Sequence, residues 1–141
     1  MQFELIDIKS IVHEDNALGG ISVFEGNRDL PFGIKRIYYI HDVAAGQWRG
    51  KHAHRTLEQM LFCPYGKIRI TLDNGFEKAE ILLDRPDKGL IVHPGLWRDM
   101  LWEQDNSVLC VAASEYYDEN DYIRDYGEFL EFARKRAEND K

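Results

Sequence analysis

The sequence predicts an all-β domain, a sandwich or barrel, followed by one C-terminal α-helix. Several short segments alternate apolar and polar residues, as in 67–72, or are rich in β-branched and aromatic residues, as in 34–40. Turn residues separate them, and Asn74-Gly75 between two such segments is the strongest short hairpin signal. Many short strands at this spacing favour a sandwich or a barrel.

The predicted elements follow each other in one domain of residues 1–141, with a barrel over about 3–114 and a helical segment over about 118–138. The clearest strand signals lie at 21–25, 34–40, 67–72, 80–83 and 107–113. The helix is expected to begin near Asp118 or Asp121, since either carboxylate is a good N-cap. Apolar residues then recur at helical spacing, which indicates a helix that packs against the barrel: Tyr122, Ile123, Tyr126, Phe129, Leu130 and Ala133.

Composition limits the functions that this chain can have. A net charge of −7 over 141 residues argues against a nucleic-acid partner, although a single nucleotide needs only a few local cations. The apolar runs are too short to span a bilayer and no signal peptide opens the chain, so we expect no membrane partner and a cytoplasmic location. Cys63 and Cys110 lie inside apolar runs, which favours buried free thiols.

The most informative motif is Gly46-x5-His52-x-His54-x4-Gln59-x6-Gly66. Two histidines at i and i+2 of an extended segment point to the same face of a sheet. The spacing resembles the first signature of the cupin β-barrel, except that Gln59 stands where that signature carries an acidic residue. The run 89–98 resembles the second signature, with Arg98 where metal-binding cupins carry a third histidine. We therefore predict a cupin double-stranded β-helix, or jelly roll.

These replacements favour proton transfer over metal catalysis. A metal site needs three or four converging ligands, whereas Gln59 is a weak neutral ligand and Arg98 is a permanent cation that repels a divalent ion. His41 and His93 do not stand at the expected offset. Histidine has a pKa suited to proton transfer. Tyr38, which shares a face with Arg36, is a candidate partner, with a plain packing role in the barrel wall as the alternative. We predict no cofactor and no metal.

Three arginines, Arg36, Arg49 and Arg98, fall within or beside the two motifs. A buried unpaired guanidinium is unfavourable, and an anionic ligand such as a phosphate would relieve that cost. Surface ion pairs are the alternative for each of them. Trp97 is a candidate for stacking on a base or sugar, or equally for the core.

Several runs carry a resemblance to a known family: 31–39, 49–54, 57–59, 94–100 and 116–124. They closely resemble the dTDP-sugar 3,4-ketoisomerases, which are cupins that act on dTDP-4-keto-6-deoxyglucose. The likeness extends from about residue 3 to residue 130. It also extends to the ketoisomerase domain (WxcM-like, C-terminal) that is fused to acyltransferases in some bacteria, so the chain could be one domain of a longer bifunctional protein.

The resemblance implies a metal-free reaction through an enediol or enediolate. By motif match, His52 removes the C3 proton, His54 orients the sugar or relays protons, and Tyr38 shuttles protons near C4. Arg36, Arg49 and Arg98 are implied to lie around the sugar or its pyrophosphate, and Gln59 and Trp97 are expected to contact the substrate. The resemblance also implies a homodimer with exchanged N-terminal strands. The implied pathway makes 3-amino-3,6-dideoxyhexoses for O-antigen lipopolysaccharide or S-layer glycans.

The resemblance bears on stereochemistry at C4. Arg98 is similar to members that form the glucose-configured product, whereas Gly19 departs from the large residue expected near the sugar in either group. Two other functional classes fit the motifs. One is a metal-dependent cupin enzyme that uses His52, His54 and a further ligand, and the other is a non-catalytic module that binds a nucleotide sugar.

Overall fold

Two five-stranded antiparallel sheets and one separate hairpin contain the strands of this protein. The computed structural model describes residues 1–140. In chain order the strands are β1 (Phe3–Asp7), β2 (Lys9–Val12), β3 (Gly20–Val23), β4 (Arg36–Ile40), β5 (Trp48–His54), β6 (Gln59–Tyr65), β7 (Ile68–Asp73), β8 (Lys78–Leu83), β9 (Lys88–Val92), β10 (Trp97–Trp102), β11 (Val108–Ala113) and β12 (Tyr122–Ile123).

The strand order within the sheets is that of a jelly roll. The first sheet runs β1-β9-β6-β11-β4 and the second runs β12-β5-β10-β7-β8, while β2 pairs only with β3. Most neighbours are therefore distant in sequence, and β7–β8 is a direct hairpin with Asp73 opposite Lys78 around the predicted Asn-Gly turn. This arrangement is the double-stranded β-helix, and the predicted fold class is confirmed.

The hydrophobic core lies between the two sheets because the strands alternate inward and outward side chains. In β7, Ile68, Ile70 and Leu72 are fully buried, whereas the intervening Arg69 and Thr71 are partly exposed. Residues from strands of both sheets complete the main cluster: Leu61, Cys63, Leu83, Leu90, Val92, Trp102, Leu109 and Val111. Cys63 and Cys110 are both free thiols, the first buried and the second half-buried.

The C-terminal helix α1 covers Tyr126–Asn139 and begins later than the predicted start near Asp118 or Asp121. Asp125 is its N-cap, and the side chain of Asp125 accepts a hydrogen bond of 2.9 Å from the Glu128 amide. Asp118 instead caps a short 3₁₀ turn over Glu119–Asp121, after which the chain forms β12. The helical spacing of the apolar residues misplaced the start because β12 pairs with β5 and so cannot be helical.

The prediction that α1 packs against the barrel is confirmed. Phe129 and Ala133 of the helix are buried in a cluster that lies on the outer face of the second sheet, together with Ala53, Trp97 and Ile123. Within residues 1–140, no helix is long and apolar enough to cross a membrane.

Candidate active site

A cavity of about 340 Å³ opens between the two sheets. Strands of both sheets contribute polar side chains to it, and the segment that follows β11 closes one side. The polar and aromatic lining residues are Arg36 and Tyr38 of β4, Arg49 and His52 of β5, Gln59 of β6, Arg98 of β10, and Tyr117, Tyr122 and Arg124 of the C-terminal segment. Six of the eight predicted site residues therefore lie together.

A β-bulge in β5 determines where His52 lies. The register between β5 and β10 shifts so that His52 is opposite Arg98 while Gly50 is opposite Asp99, which leaves Lys51 unpaired. Gly50 and Lys51 both have positive φ angles, +94° and +61°. A Cβ atom on residue 50 would lie 2.9 Å from the Arg98 carbonyl oxygen, so this close approach requires glycine.

The two histidines differ in access to the cavity. His52 is half-buried and lines it, whereas His54 is completely buried and borders an adjoining cavity of about 450 Å³. Their ring centroids lie 5.0 Å apart in a T-shaped contact. Tyr122 contacts both rings, with centroid distances of 5.1 Å to His52 and 4.4 Å to His54.

Both histidines are neutral at physiological pH. Burial, reinforced by the positive charge of Arg98, lowers the pKa of His52 to about 3, although an interaction with the Gly50 backbone works in the opposite direction. Burial and the same guanidinium lower the pKa of His54 to about 2. A neutral imidazole has a free lone pair, so His52 is able to accept a proton from a group in the cavity.

A chain of hydrogen bonds links Arg98, Gln59 and Tyr38. Arg98 Nη1 donates to Gln59 Oε1, and Gln59 Nε2 then donates to the Tyr38 hydroxyl oxygen at 3.0 Å. Because the amide is oriented by Arg98, Tyr38 accepts from Gln59 and keeps its own hydrogen for another partner. Burial raises the pKa of Tyr38 above its usual value, so the phenol is protonated. Tyr38 is thus able to donate a hydrogen bond at the cavity wall.

Arg98 is a buried cation with no carboxylate bonded to it among residues 1–140. Its Nη2 donates to the Leu96 carbonyl oxygen at 3.1 Å, while its Nε has no partner in this part of the chain. Burial lowers the pKa of Arg98 to about 10, which still leaves it positively charged at neutral pH. An unpaired buried guanidinium of this kind is a site for an oxygen-rich or anionic ligand.

Comparison with known proteins shows the family to which this chain belongs. The family model of FdtA (WxcM-like, C-terminal) matches residues 1–134. The chain belongs to this family. A TDP-4-oxo-6-deoxy-alpha-D-glucose-3,4-oxoisomerase of Aneurinibacillus thermoaerophilus is 42% identical over 135 residues, which are 96% of this chain and 95% of that relative.

Solved structures of sugar 3,4-ketoisomerases superpose closely on this chain. QdtA, a sugar 3,4-ketoisomerase of Thermoanaerobacterium thermosaccharolyticum in complex with TDP, is 42% identical, with a TM-score of 0.90 and coverage of 95% of this chain and 96% of QdtA. A histidine-to-asparagine mutant of QdtA in complex with TDP-4-keto-6-deoxyglucose is 41% identical, with a TM-score of 0.90 and coverage of 95% of both chains. A 3,4-ketoisomerase of Helicobacter canadensis is 37% identical, with a TM-score of 0.90 and coverage of 95% of this chain and 98% of that one.

Trp97 is the one predicted site residue that lies away from both cavities, and the two other histidines weighed as metal ligands, His41 and His93, bond acidic residues instead. Trp97 does not line the cavity, because it is adjacent to Arg98 on β10 and so faces the other side of the sheet, where it packs beneath α1. His41 bonds Asp42, and His93 bonds both Glu58 and Glu4. Among residues 1–140, no group of three or more His, Cys, Asp or Glu side chains is arranged to hold a metal ion.

Sequence reasoning assigned no site role to Tyr117, Tyr122 or Arg124. Arg124 forms a bidentate ion pair with Glu119, at 2.7 and 2.9 Å, and its guanidinium lies 4.2 Å from the centroid of the Tyr122 ring. These residues come to the cavity because β12 pairs with β5, with Tyr122 opposite His54. The aromatic and charged run 116–124 was the available signal, since such a composition is unusual for a segment that only connects a strand to a helix.

Proposed function

We propose that this protein is a TDP-4-keto-6-deoxyglucose 3,4-ketoisomerase that moves the keto group from C4 to C3 by acid–base chemistry. The proposal depends on one observation: a single cavity is lined by the neutral imidazole of His52, the protonated phenol of Tyr38 and the buried, unpaired guanidinium of Arg98. Family membership and the names of the relatives support the same reaction.

The first step is removal of the C3 proton by His52. The electron pair of the C3–H bond forms the C3–C4 double bond of an enediolate, and the C4 carbonyl π-electrons move to its oxygen. The neighbouring ketone acidifies this proton, so a positioned base suffices. The negative diphosphate of the substrate offsets the positive charges in the cavity that lower the pKa of His52, among them Arg98 and Arg124, so the basicity of His52 rises when the ligand is bound.

The second step returns a proton to C4. Arg98 and Tyr38 are positioned to stabilise the enediolate oxygen, since the guanidinium Nε and the phenol hydrogen are both available. The hydroxyl at C3 loses its proton as the C3 carbonyl forms, and the enediolate oxygen at C4 gains a proton and becomes the C4 hydroxyl. C4 itself takes up a proton that His52 or Tyr38 supplies. Atoms and charge balance, because one C–H bond and one O–H bond are broken and one of each is made.

Cations around the cavity suit a nucleoside diphosphate. Arg36, Arg49 and Arg124 line the same cavity as Arg98. Arg36 Nε has no partner among residues 1–140, and its guanidinium lies 5.2 Å from the centroid of the Tyr38 ring and 5.7 Å from that of Tyr117. Planar guanidinium groups bind phosphate oxygens in pairs, so we assign the diphosphate to this group of arginines.

The proposed reaction does not require a metal. Arg98 and Gln59 occupy the two motif positions that carry metal ligands in metal-binding cupins, and they bond each other. A positive guanidinium beside His52 and His54 disfavours a divalent cation there. We therefore retain a cofactor-free mechanism as part of the proposal.

We also propose a homodimer in which the β2–β3 hairpin contacts the second subunit. This hairpin pairs with no other strand of residues 1–140, and it exposes apolar side chains that water solvates poorly: Ile11, Val12, Leu18 and Ile21. Light scattering at micromolar concentration would show twice the 16.5 kDa chain mass. We further propose a cytoplasmic role in 3-amino-3,6-dideoxyhexose biosynthesis for O-antigen or S-layer glycans, with fusion to an acyltransferase as in some related proteins.

The activity is tested by incubation of the purified protein with TDP-4-keto-6-deoxyglucose in the presence of a chelator, followed by proton NMR. Formation of a 3-keto sugar supports the proposal, and the coupling constants at C4 give the product configuration. Activity that appears only after a divalent metal is added would support the metal-dependent alternative. Tight binding without conversion under either condition would support a binding module.

A further inference from the structure

Asp121 connects the C-terminal segment to the buried histidine. Its carboxylate Oδ2 lies 3.2 Å from His54 Nδ1. Its Oδ1 accepts hydrogen bonds from both the amide and the hydroxyl of Thr56, each at 2.8 Å, and Oδ2 also accepts from the Leu57 amide at 3.3 Å. The carboxylate is therefore held in one orientation by donors that belong to the loop after β5.

This geometry defines the tautomer of His54. A carboxylate only accepts hydrogen bonds, so the ring nitrogen that faces it, Nδ1, carries the hydrogen. The ring is neutral, so Nε2 has a free lone pair. His54 is completely buried, and Nε2 has no hydrogen-bond partner in residues 1–140. A buried acceptor without a donor is unfavourable in the absence of a ligand.

We propose that Asp121 is a positioning residue that fixes His54 as the Nδ1–H tautomer, so that Nε2 accepts a hydrogen bond from a hydroxyl group of the bound sugar. His54 is suitably placed, because its ring lies against that of His52 and borders a cavity that shares Arg36, Tyr117 and Tyr122 with the cavity of His52. The catalytic half of this inference rests on the proposed ketoisomerase function, whereas the tautomer does not.

The variant Asp121→Asn tests the idea because the structure dictates how the amide must lie. The Thr56 amide and hydroxyl both donate to Oδ1 at 2.8 Å, whereas Oδ2 has one longer donor, the Leu57 amide at 3.3 Å, so the amide oxygen of the new side chain takes the position of Oδ1. Its NH₂ group then takes the position of Oδ2 and donates to His54 Nδ1. His54 must switch to the Nε2–H tautomer, in which Nε2 no longer accepts a hydrogen bond.

The experiment measures tautomers and kinetics on the full chain. Two-bond ¹H–¹⁵N correlation spectra of ¹⁵N-histidine-labelled protein, assigned with His54→Gln, report which ring nitrogen carries the hydrogen. We expect Nδ1–H in the wild type without ligand and Nε2–H in Asp121→Asn. We also expect kcat of Asp121→Asn to fall by at least ~10²-fold, with KM changed by less than about 3-fold. Thr56→Val is the matched control, since it removes one donor to Oδ1 and keeps the contact with His54, and it should retain the tautomer and the rate.

The possible results of these experiments test the tautomer, the positioning role and the proposed function separately. An Nε2–H tautomer in the wild type overturns the inference even if Asp121→Asn does not fold. An inverted tautomer with wild-type kcat overturns the positioning role while the proposed function stands. If the wild type converts no 4-keto sugar, the proposed function and the catalytic half of the inference both fail, and the spectra alone decide whether Asp121 fixes the tautomer.

Discussion

Arg98 donates a hydrogen bond to the side-chain oxygen of Gln59 inside the barrel. This contact orients the Gln59 amide, which in turn donates to Tyr38. Two positions that carry metal ligands in other cupins are here converted into a relay that sets the direction of the phenol hydrogen. The replacement thus changes the chemistry of the cavity without changing the fold around it.

Gln59→Glu should reverse the last bond of this relay. A carboxylate at residue 59 has no hydrogen to donate, so Tyr38 would donate to it and no longer to the ligand. We expect kcat to fall by at least ~10²-fold with little change in the affinity for TDP, measured by steady-state kinetics and calorimetry. Glu58→Gln is a control on the neighbouring residue, whose side chain bonds His93 instead, and it should keep the wild-type rate. An unchanged kcat in Gln59→Glu would show that the hydrogen of Tyr38 is not used.

We expect Arg98 to contribute mainly to catalysis and Arg124 mainly to substrate binding. Arg98→Lys keeps the charge but not the guanidinium fork, so we expect kcat to fall by ~10² to 10³-fold, as when an oxyanion donor is removed, with a small change in KM. Arg124 lies at the edge of the cavity and is half exposed, so Arg124→Gln should raise KM and weaken TDP binding, more strongly at low salt. The same split between kcat and KM for both variants would contradict this division.

The pH dependence of kcat/KM should lack the acid limb expected of an ordinary histidine. Burial and Arg98 hold the pKa of His52 at about 3, so the base is already unprotonated at pH 5. We expect kcat/KM to be constant from about pH 5.5 to 8. A fall in kcat/KM below about pH 6.5 that is caused by protonation of His52 would show that this ring is solvated in the free enzyme.

Stability should decrease on the acid side because two histidines are buried in the neutral form. Their folded pKa values of about 3 and 2 lie below the usual 6.5, so the unfolded chain binds more protons as pH falls from 6.5 toward 3. Each histidine lowers the free energy of unfolding by about 1.6 kcal/mol between pH 6.5 and pH 5, since one pH unit corresponds to 1.36 kcal/mol per proton and the unfolded histidine is already half protonated at pH 6.5. Urea melts at several pH values check this slope.

The control for this slope uses two histidine variants. His54→Gln should reduce it by about half. His93 acts in the opposite sense. Partial burial lowers its pKa, but its carboxylate partners Glu58 and Glu4 together outweigh this effect and raise it, so its contribution to stability is lost as pH rises through the raised pKa. His93→Gln should therefore steepen the net acid loss, and a slope that neither variant changes would contradict the account.

Much of the barrel side of the site could be predicted from the sequence. The H-x-H spacing and the second motif placed His52, Gln59 and Arg98 together, because strand alternation and the glycine turns leave few other arrangements. Trp97 could have been excluded by the same alternation, since an inward Arg98 requires an outward Trp97. Its aromatic character alone did not decide between stacking on a ligand and packing under α1.

The C-terminal side of the site could not be predicted in the same way. Tyr122 and Ile123 fit the helical spacing of α1, yet their backbone completes an edge strand opposite His54 and Ala53. This long-range pairing overrides the local pattern, because the edge of β5 would otherwise leave backbone groups unpaired. Tyr122 and Asp121 reach the histidines only as a consequence of that strand.

The most direct test of the central claim is the loss of the C3 proton signal of TDP-4-keto-6-deoxyglucose in deuterated buffer, followed by NMR for the wild type and His52→Asn. If His52 is the base, the variant should exchange this proton at least ~10²-fold more slowly and bind TDP with an affinity within a few-fold of the wild type. Exchange by His52→Asn at the wild-type rate would contradict the assignment of the base and the mechanism built on it.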